Sequence, residues 1–226
     1  MLEAHNEDCI FWHAPLNDLE AGRAGPLHTA ELQRQWQAWL RARYADDAAL
    51  QAAWGPVGGG RRADDALGNP RMAIYGAWEM QGDGPARNKA EARRMGDFIR
   101  FLAETQRGYY ERRREALRSI GFRGLTVSTA WRAGGVAAHL ANVWADSAMD
   151  VVDRHAYYGG GEGGHRIRTG TVNGGSHLRD IDGGILARGY EQVEDKPFAC
   201  SASGRSRRRT SGRRRSRRSW RSTASG

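Results

Sequence analysis

At 226 residues and 39% hydrophobic content, the chain is long enough to build one domain around a real core. Its net charge of +9 comes from one end. Residues 201–226 hold 10 of the 35 Lys and Arg and no acidic residue, which leaves −1 for residues 1–200. The basic balance therefore does not make the body a nucleic-acid binder. Cys9 and Cys200 lie too far apart in sequence to define a disulfide framework or a metal spacing. No apolar run is long enough to span a membrane. The N-terminus, MLEAHNEDCIFWH, lacks the basic-then-apolar layout of a signal peptide. Localisation stays open, and a longer parent protein could have been exported.

In chain order, Leu2 to Asn6 read as the end of a short strand that runs straight into Glu7-Asp8. Thr29 is a candidate N-cap for a helix over 30–44, with Leu32, Trp36, Trp39 and Leu40 at helical spacing. A short helix carrying Leu50 and Trp54 ends at Gly55-Pro56. Residues 55–87, rich in Gly and Pro, read as an irregular excursion. Asn88 is a candidate cap for a long helix to Ile120, where Gly121 stops it. Met95, Phe98, Leu102, Tyr109, Leu117 and Ile120 form its apolar side, and its Arg and Glu residues read as a solvated face.

Two strand-like runs follow, LTVSTAW at 125–131 and DVVDRHAYY at 150–158, separated by an Ala-rich stretch with helical composition. The loop GGGEGGH at 159–165 has no Gly-Lys-Ser/Thr ending, which excludes a phosphate loop. A weak helix near 178–192 precedes a last strand-like piece, KPFACS, at 196–201. Strands alternating with helices predict βα units and a parallel sheet. In such architectures reacting groups project from the C-terminal ends of strands. Those ends carry Asn6-Glu7-Asp8, Trp131, and His155 with Tyr157. Eight Trp is a high count, and the flat ring stacks well on the apolar face of a pyranose. Core packing is the plainer reading for any single Trp.

These segments resemble the retaining glycoside hydrolases built on (β/α)8 barrels, the clan A group of cellulase-like and β-galactosidase-like enzymes. Asn6-Glu7 matches the Asn-Glu pair that ends the fourth strand in that clan. RQWQAWLRARYADDAALQAAWG resembles a stretch of the β-galactosidase-like branch, RHAYY the end of the sixth strand, and KPFACS the seventh strand before the nucleophilic Glu. The resemblance covers residues 1–200. It implies an α/β fold: a partial TIM barrel of strands 4–7 with their helices. The Arg/Ser/Gly composition of 201–226 reads as a disordered tail after it. The resemblance also implies Glu7 as general acid/base, with Asn6, Trp12, Trp131, His155 and Tyr157 lining the sugar cleft. Asn6 would bond a sugar hydroxyl, and Tyr157 would orient the nucleophile. Retaining enzymes work with two carboxyl groups about 5–5.5 Å apart. The implied partner of the intact relative is an oligo- or polysaccharide, with no cofactor, no metal, no specific nucleic acid and no membrane. Plainer readings stand beside these: Glu7 as a surface or helix-start acid, His155 as a satisfied buried His, and Tyr157 as core.

Two parts of the family pattern are missing from this sequence. Little precedes Glu7 where strands one to three belong, and no acidic residue follows Asp195 where the nucleophile belongs. The chain therefore reads as an inactive fragment whose open strand edges invite self-association. Arg/Ser/Gly-rich text is also what a GC-rich gene gives when read out of frame, so a frameshift near Ser201 is expected. Taken at face value, the ten Arg would instead form a disordered polyanion-binding tail. A third reading is a carbohydrate-binding relic without hydrolysis. Read in the shifted frame, the coding DNA is expected to give Glu-Trp close to Ser201, then a Pro-Asn segment. An immediate stop, or no Glu there, would overturn the frameshift.

Overall fold

The computed structural model describes residues 1–11, 13–81, 83–131, 136–155 and 189–201. The chain runs β1 (Leu2–Glu3), α1 (His13–Glu20), α2 (Pro26–Arg41), α3 (Asp47–Trp54), α4 (Ala77–Met80), α5 (Gly84–Arg87) and α6 (Ala92–Ser119). It continues through β2 (Thr126–Val127), α7 (Val136–Asp146), β3 (Val152–Asp153), a 3-10 turn at Gly189–Glu191 and β4 (Phe198–Ala199). The Gly-rich loop at 159–165, most of the weak helix expected near 178–192, and the Arg-rich run beyond Ser201 lie outside the described residues.

The spine is α6. Met95, Phe98, Ile99, Phe101 and Leu102 are buried at helical spacing. Onto this face α2 lays Leu32, Trp36 and Leu40, and α3 lays Leu50 and Trp54. The Trp36 ring is fully buried, with its centre 5.2 Å from Phe98, 5.3 Å from Phe101, 5.4 Å from Trp39 and 6.1 Å from Trp54. Such ring pairs each contribute about 0.5–1.5 kcal/mol beyond their buried area. Two of the three indole N–H groups in the cluster are satisfied, and the buried Trp36 Nε1 has no hydrogen-bond partner among the described residues. Trp54 Nε1 donates to Asp97 at 2.7 Å, and Trp39 Nε1 donates to Glu104 at 2.7 Å. Helix α6 ends where Gly121 takes φ 88°. The Gly121 N–H bonds Arg118 O and the Phe122 N–H bonds Leu117 O, the reciprocal pair that closes a helix on a left-handed residue.

Several boundaries differ from the sequence expectation. Helix α2 begins earlier, at Pro26, whose fixed φ suits a first helical position. Thr29 lies inside it and bonds Leu19 O at 3.0 Å, tying α2 to the end of α1 rather than capping. Asn88 does not cap α6, which starts four residues later, after Glu91. Ile120 is largely exposed. The excursion 55–87 contains the single-turn helices α4 and α5 and buries Leu67, Met72, Ile74, Tyr75 and Met80.

Its anchor is Arg94, a residue of the supposedly solvated face of α6 that is in fact buried. The guanidinium donates to both oxygens of Asp65, at 2.8 and 2.7 Å, and to Ala73 O at 2.8 Å. Both side chains of the pair are fully buried. The Arg94 guanidinium also lies 4.8 Å from the Tyr75 ring centre.

The expected partial barrel is not what forms. The described residues are mostly helical, and their strands are four two-residue pieces in two parallel pairs. Leu2–Glu3 pairs with Thr126–Val127, and Val152–Asp153 pairs with Phe198–Ala199. A single parallel bridge, Val127 to Val151, joins the pairs. The physical reason lies in the runs read as strands. Thr126 to Ala130 are all fully buried, yet the segment leaves ladder geometry after Val127. Short apolar, β-branched runs report burial as readily as strand length, and here burial beneath helices is what they report.

Removing one partner of a buried pair strands the other as an unpaired charge. Arg94→Leu is expected to lower unfolding free energy by about 3–5 kcal/mol in urea denaturation. The Arg94→Leu, Asp65→Leu double variant should lose clearly less than the sum of the single losses, since no stranded charge remains.

Candidate functional site

The site is assembled where β1, β2 and β3 end. Past β1, the Ala4 N–H bonds Val127 O at 2.9 Å and the His5 N–H bonds Ser128 O at 3.2 Å, so the chain still follows β2 as it approaches Glu7. Glu7 itself sits at φ 48°. A non-glycine residue in this region carries about 1–2 kcal/mol of strain. Its neighbours hold it there: the Asp8 N–H donates to Thr129 Oγ1 at 3.0 Å, and the Ile10 N–H donates to Gln106 Oε1 at 2.8 Å. The turn aims the Glu7 carboxyl at His155, at the end of β3. His155 Nδ1 lies 2.5 Å from Glu7 Oε1. The imidazole is nearly buried, at 9% exposure, while the Glu7 side chain keeps 24%. The His155 backbone N–H bonds Ala130 O at 2.8 Å, which clips β3's exit to β2's.

Trp131, at the end of the β2 segment, packs half-buried against the core. Its N–H donates to Thr129 Oγ1 at 3.3 Å, and its C=O accepts from Asn142 Nδ2 at 3.3 Å. Asn6 is exposed next to Glu7. The structure thus brings Glu7 and His155 into contact and places Asn6 and Trp131 on the same strand exits. Trp12 and Tyr157 lie outside the described residues. Three other tryptophans serve the core: Trp36 and Trp54 are buried in it, and Trp39 packs on it, whereas Trp78 and Trp144 are exposed.

Beneath the site runs a buried polar chain that sequence reasoning missed. Gln106 of α6, which holds Ile10, donates to Asn142 Oδ1 of α7 at 2.8 Å. Asn142 donates to Asp146 Oδ2 at 2.8 Å. Arg154, adjacent to His155 in sequence, lies with Nη2 2.9 Å from Asp146 Oδ2 and Nε 2.7 Å from Glu191 Oε2. His139 Nε2 stands 3.6 Å from the other Glu191 oxygen. A signal for this chain was present. Asn142 and Asp146 fall at i and i+4 on the stripe that carries buried Ala138 and Ala145 of α7. Polar residues on an apolar stripe need partners.

One guanidinium here faces two carboxylates. The Arg154 Nη2 approach to Asp146 is close but out of hydrogen-bond alignment, and Asp146 Oδ1 has no hydrogen-bond partner among the described residues. Complete burial therefore dominates over the pull of Arg154, and the Asp146 carboxyl is pushed up to about 7. Burial likewise raises the Cys9 thiol to about 12, which leaves it an inert core residue rather than a nucleophile.

Among the described residues, no group of three or more His, Cys, Asp or Glu is arranged to hold a metal ion. No helix among the described residues is long and apolar enough to cross a membrane. No protein-family model, curated protein or solved structure matches the chain. The resemblance to clan A glycosidases therefore stands on the sequence segments alone. The arrangement at the strand exits is a partly exposed carboxyl group, held by an imidazole and fixed by a buried polar scaffold. Such a group can exchange a proton with a bound molecule.

The raised carboxyl of Asp146 gives a pH test. Its ordinary value is 3.8, so between pH 4 and 7 the folded chain binds a proton that the unfolded chain does not. The stability this provides is complete below pH 4 and lost as pH rises through 7. Asp146→Asn mimics the protonated form. The stability difference, wild type minus Asp146→Asn, should fall across that window by at most about 1.4 kcal/mol per pH unit. Urea denaturation at stepped pH measures it.

Proposed function

We propose that the strand exits carry a carbohydrate site of the retaining β-glycosidase kind, with Glu7 as the carboxyl group that protonates the glycosidic oxygen. His155 positions it. The observation that carries this reading is the 2.5 Å contact between Glu7 and His155, residues 148 positions apart in sequence. A surface or helix-start acid has no need of a nearly buried imidazole on one oxygen, nor of a strained backbone to reach it. Asn6 beside it offers an amide to a sugar hydroxyl, and Trp131 an apolar face.

A retaining mechanism also needs a nucleophilic carboxylate about 5–5.5 Å from the first. Among the described residues, Asp153 accepts from the Ser201 N–H at 2.9 Å, Glu191 is paired with Arg154 at 2.7 Å, and Asp146 is fully buried. In this proposal the chain binds sugar and supplies the proton, but forms no glycosyl-enzyme, so it does not turn over unaided.

An external nucleophile tests both halves. With azide, the anomeric carbon gains a C–N bond as the C–O bond breaks. The electron pair leaves on the glycosidic oxygen, and the Glu7 proton passes to it. Phenyl β-glucoside and β-galactoside need that proton; the 2,4-dinitrophenyl glycosides do not. Azide-dependent glycosyl azide formation is expected from the full chain. Glu7→Gln should slow the phenyl substrates by about 10²–10⁴-fold and leave the dinitrophenyl substrates nearly unchanged. Equal loss on both, or no azide product at all, would overturn Glu7 as the acid. Azide-free turnover that Glu7→Gln removes would overturn the missing nucleophile.

A further inference from the structure

A cavity of about 440 Å³ opens between α1, α2 and the turn that leads from Glu7 towards α1. Ile10 is on that turn, Pro15 and Leu19 come from α1, Ala24 from the turn after it, and Leu32 from α2. Together they make an apolar wall. Leu32 is nearly buried, at 9% exposure, and Ile10 and Leu19 pack half-buried on the core. Thr105 of α6 also lines the cavity, with its hydroxyl donating to Phe101 O at 2.8 Å.

The rim decides what fits. Its two carboxylates already have partners. Glu31 accepts from Arg34 Nε and Nη2, both at 2.8 Å, and from Gln35 Nε2 at 2.8 Å. Asp18 accepts from Arg23 Nε at 2.9 Å. A ligand carboxylate or phosphate would meet two like charges, and a ligand cation would compete with two arginines already in place. Few open polar groups remain, the exposed His28 among them, so a saccharide would bury hydroxyls without partners.

Position supplies the rest. Ile10 lies three residues past Glu7, a span of at most about 11 Å of chain. Its N–H is fixed to Gln106 Oε1 at 2.8 Å. An acid that protonates a glycosidic oxygen stands where the sugar ends and the aglycone begins. We propose that this cavity receives the aglycone, and that the aglycone is an uncharged apolar ring system rather than a second sugar. A single apolar ring fills a cavity of about 150 Å³, so 440 Å³ admits two fused rings. The substrates are then aryl β-glycosides, with the sugar towards Asn6 and Trp131 and the ring towards Ile10 and Leu19. The aglycone role rests on Glu7 as the acid, whereas binding of a ring in the cavity does not.

The test uses the full chain, with ¹³C-labelled Ile and Leu methyl groups and 2-naphthol as probe. The Ile10 and Leu19 methyl resonances, assigned through Ile10→Val and Leu19→Met, are expected to shift progressively up to ~2 mM naphthol, as a millimolar or tighter site requires. Naphthalene-2-carboxylate and cellobiose should bind there at least tenfold more weakly. Ala24→Phe puts a ring of the protein's own into the cavity. With circular dichroism melting unchanged, it should weaken naphthol binding at least tenfold. It should raise KM for the azide reaction of 2-naphthyl β-glucoside by a similar factor, with little change in kcat. No Ile10 or Leu19 shift with the wild type overturns the proposal, whatever Glu7 does. So does tighter binding of cellobiose or of the carboxylate, or a KM that Ala24→Phe leaves alone. Should no glycoside give an azide product, the Glu7 reading fails and takes the aglycone role with it, while the naphthol shifts still show that the cavity binds a ring.

Discussion

The structure depends on one constraint: the apolar face of α6 is too long to be left in water. Twenty-eight residues of helix present Met95, Phe98, Ile99, Phe101 and Leu102 along one side. Every large element among the described residues answers to that surface. Helices α2 and α3 cover its first half with Trp36, Leu40, Leu50 and Trp54. The excursion before α6 is drawn onto it by the buried Arg94–Asp65 pair. Helix α7 lies along its second half through the Gln106–Asn142 bond. Because a helix of this length is stabilised mainly by tertiary burial rather than by propensity, the packing and the helix form together.

That arrangement explains why the site is where it is. Gln106 is a core residue of α6 and also the acceptor that holds Ile10, three residues past Glu7. The same side chain grips Asn142, which leads through Asp146 to Arg154, next to His155. One continuous buried polar chain therefore fixes both partners of the Glu7–His155 contact from below. The strained backbone at Glu7 persists because its neighbours are bonded on either side. The short parallel pairs do less. They align the exits of β1, β2 and β3, and their two-residue length means that helix packing sets the distances.

Much of the helical layout was legible in the sequence. Leu32, Trp36 and Leu40 repeat at helical spacing, Gly55 and Gly121 stop the helices they follow, and the α6 stripe is readable from Met95 to Leu102. Helix starts were less legible, because Thr29 and Asn88 have the chemistry of caps and Pro26 took that role by fixing a backbone angle. Glu7 and His155 stood out individually as a carboxyl group and an imidazole at the ends of strand-like runs. Their contact did not, since nothing local links positions 148 apart. The strand runs misled for a related reason: burial, which a sequence does not display, made Thr126 to Ala130 look like a long strand. Local periodicity and turn chemistry determined the helices and where they stop. Only the tertiary structure decided that Arg94 would be buried, that Asp146 would take up a proton, and that Glu7 would meet His155. Each of these depends on which distant groups share a volume from which water is excluded.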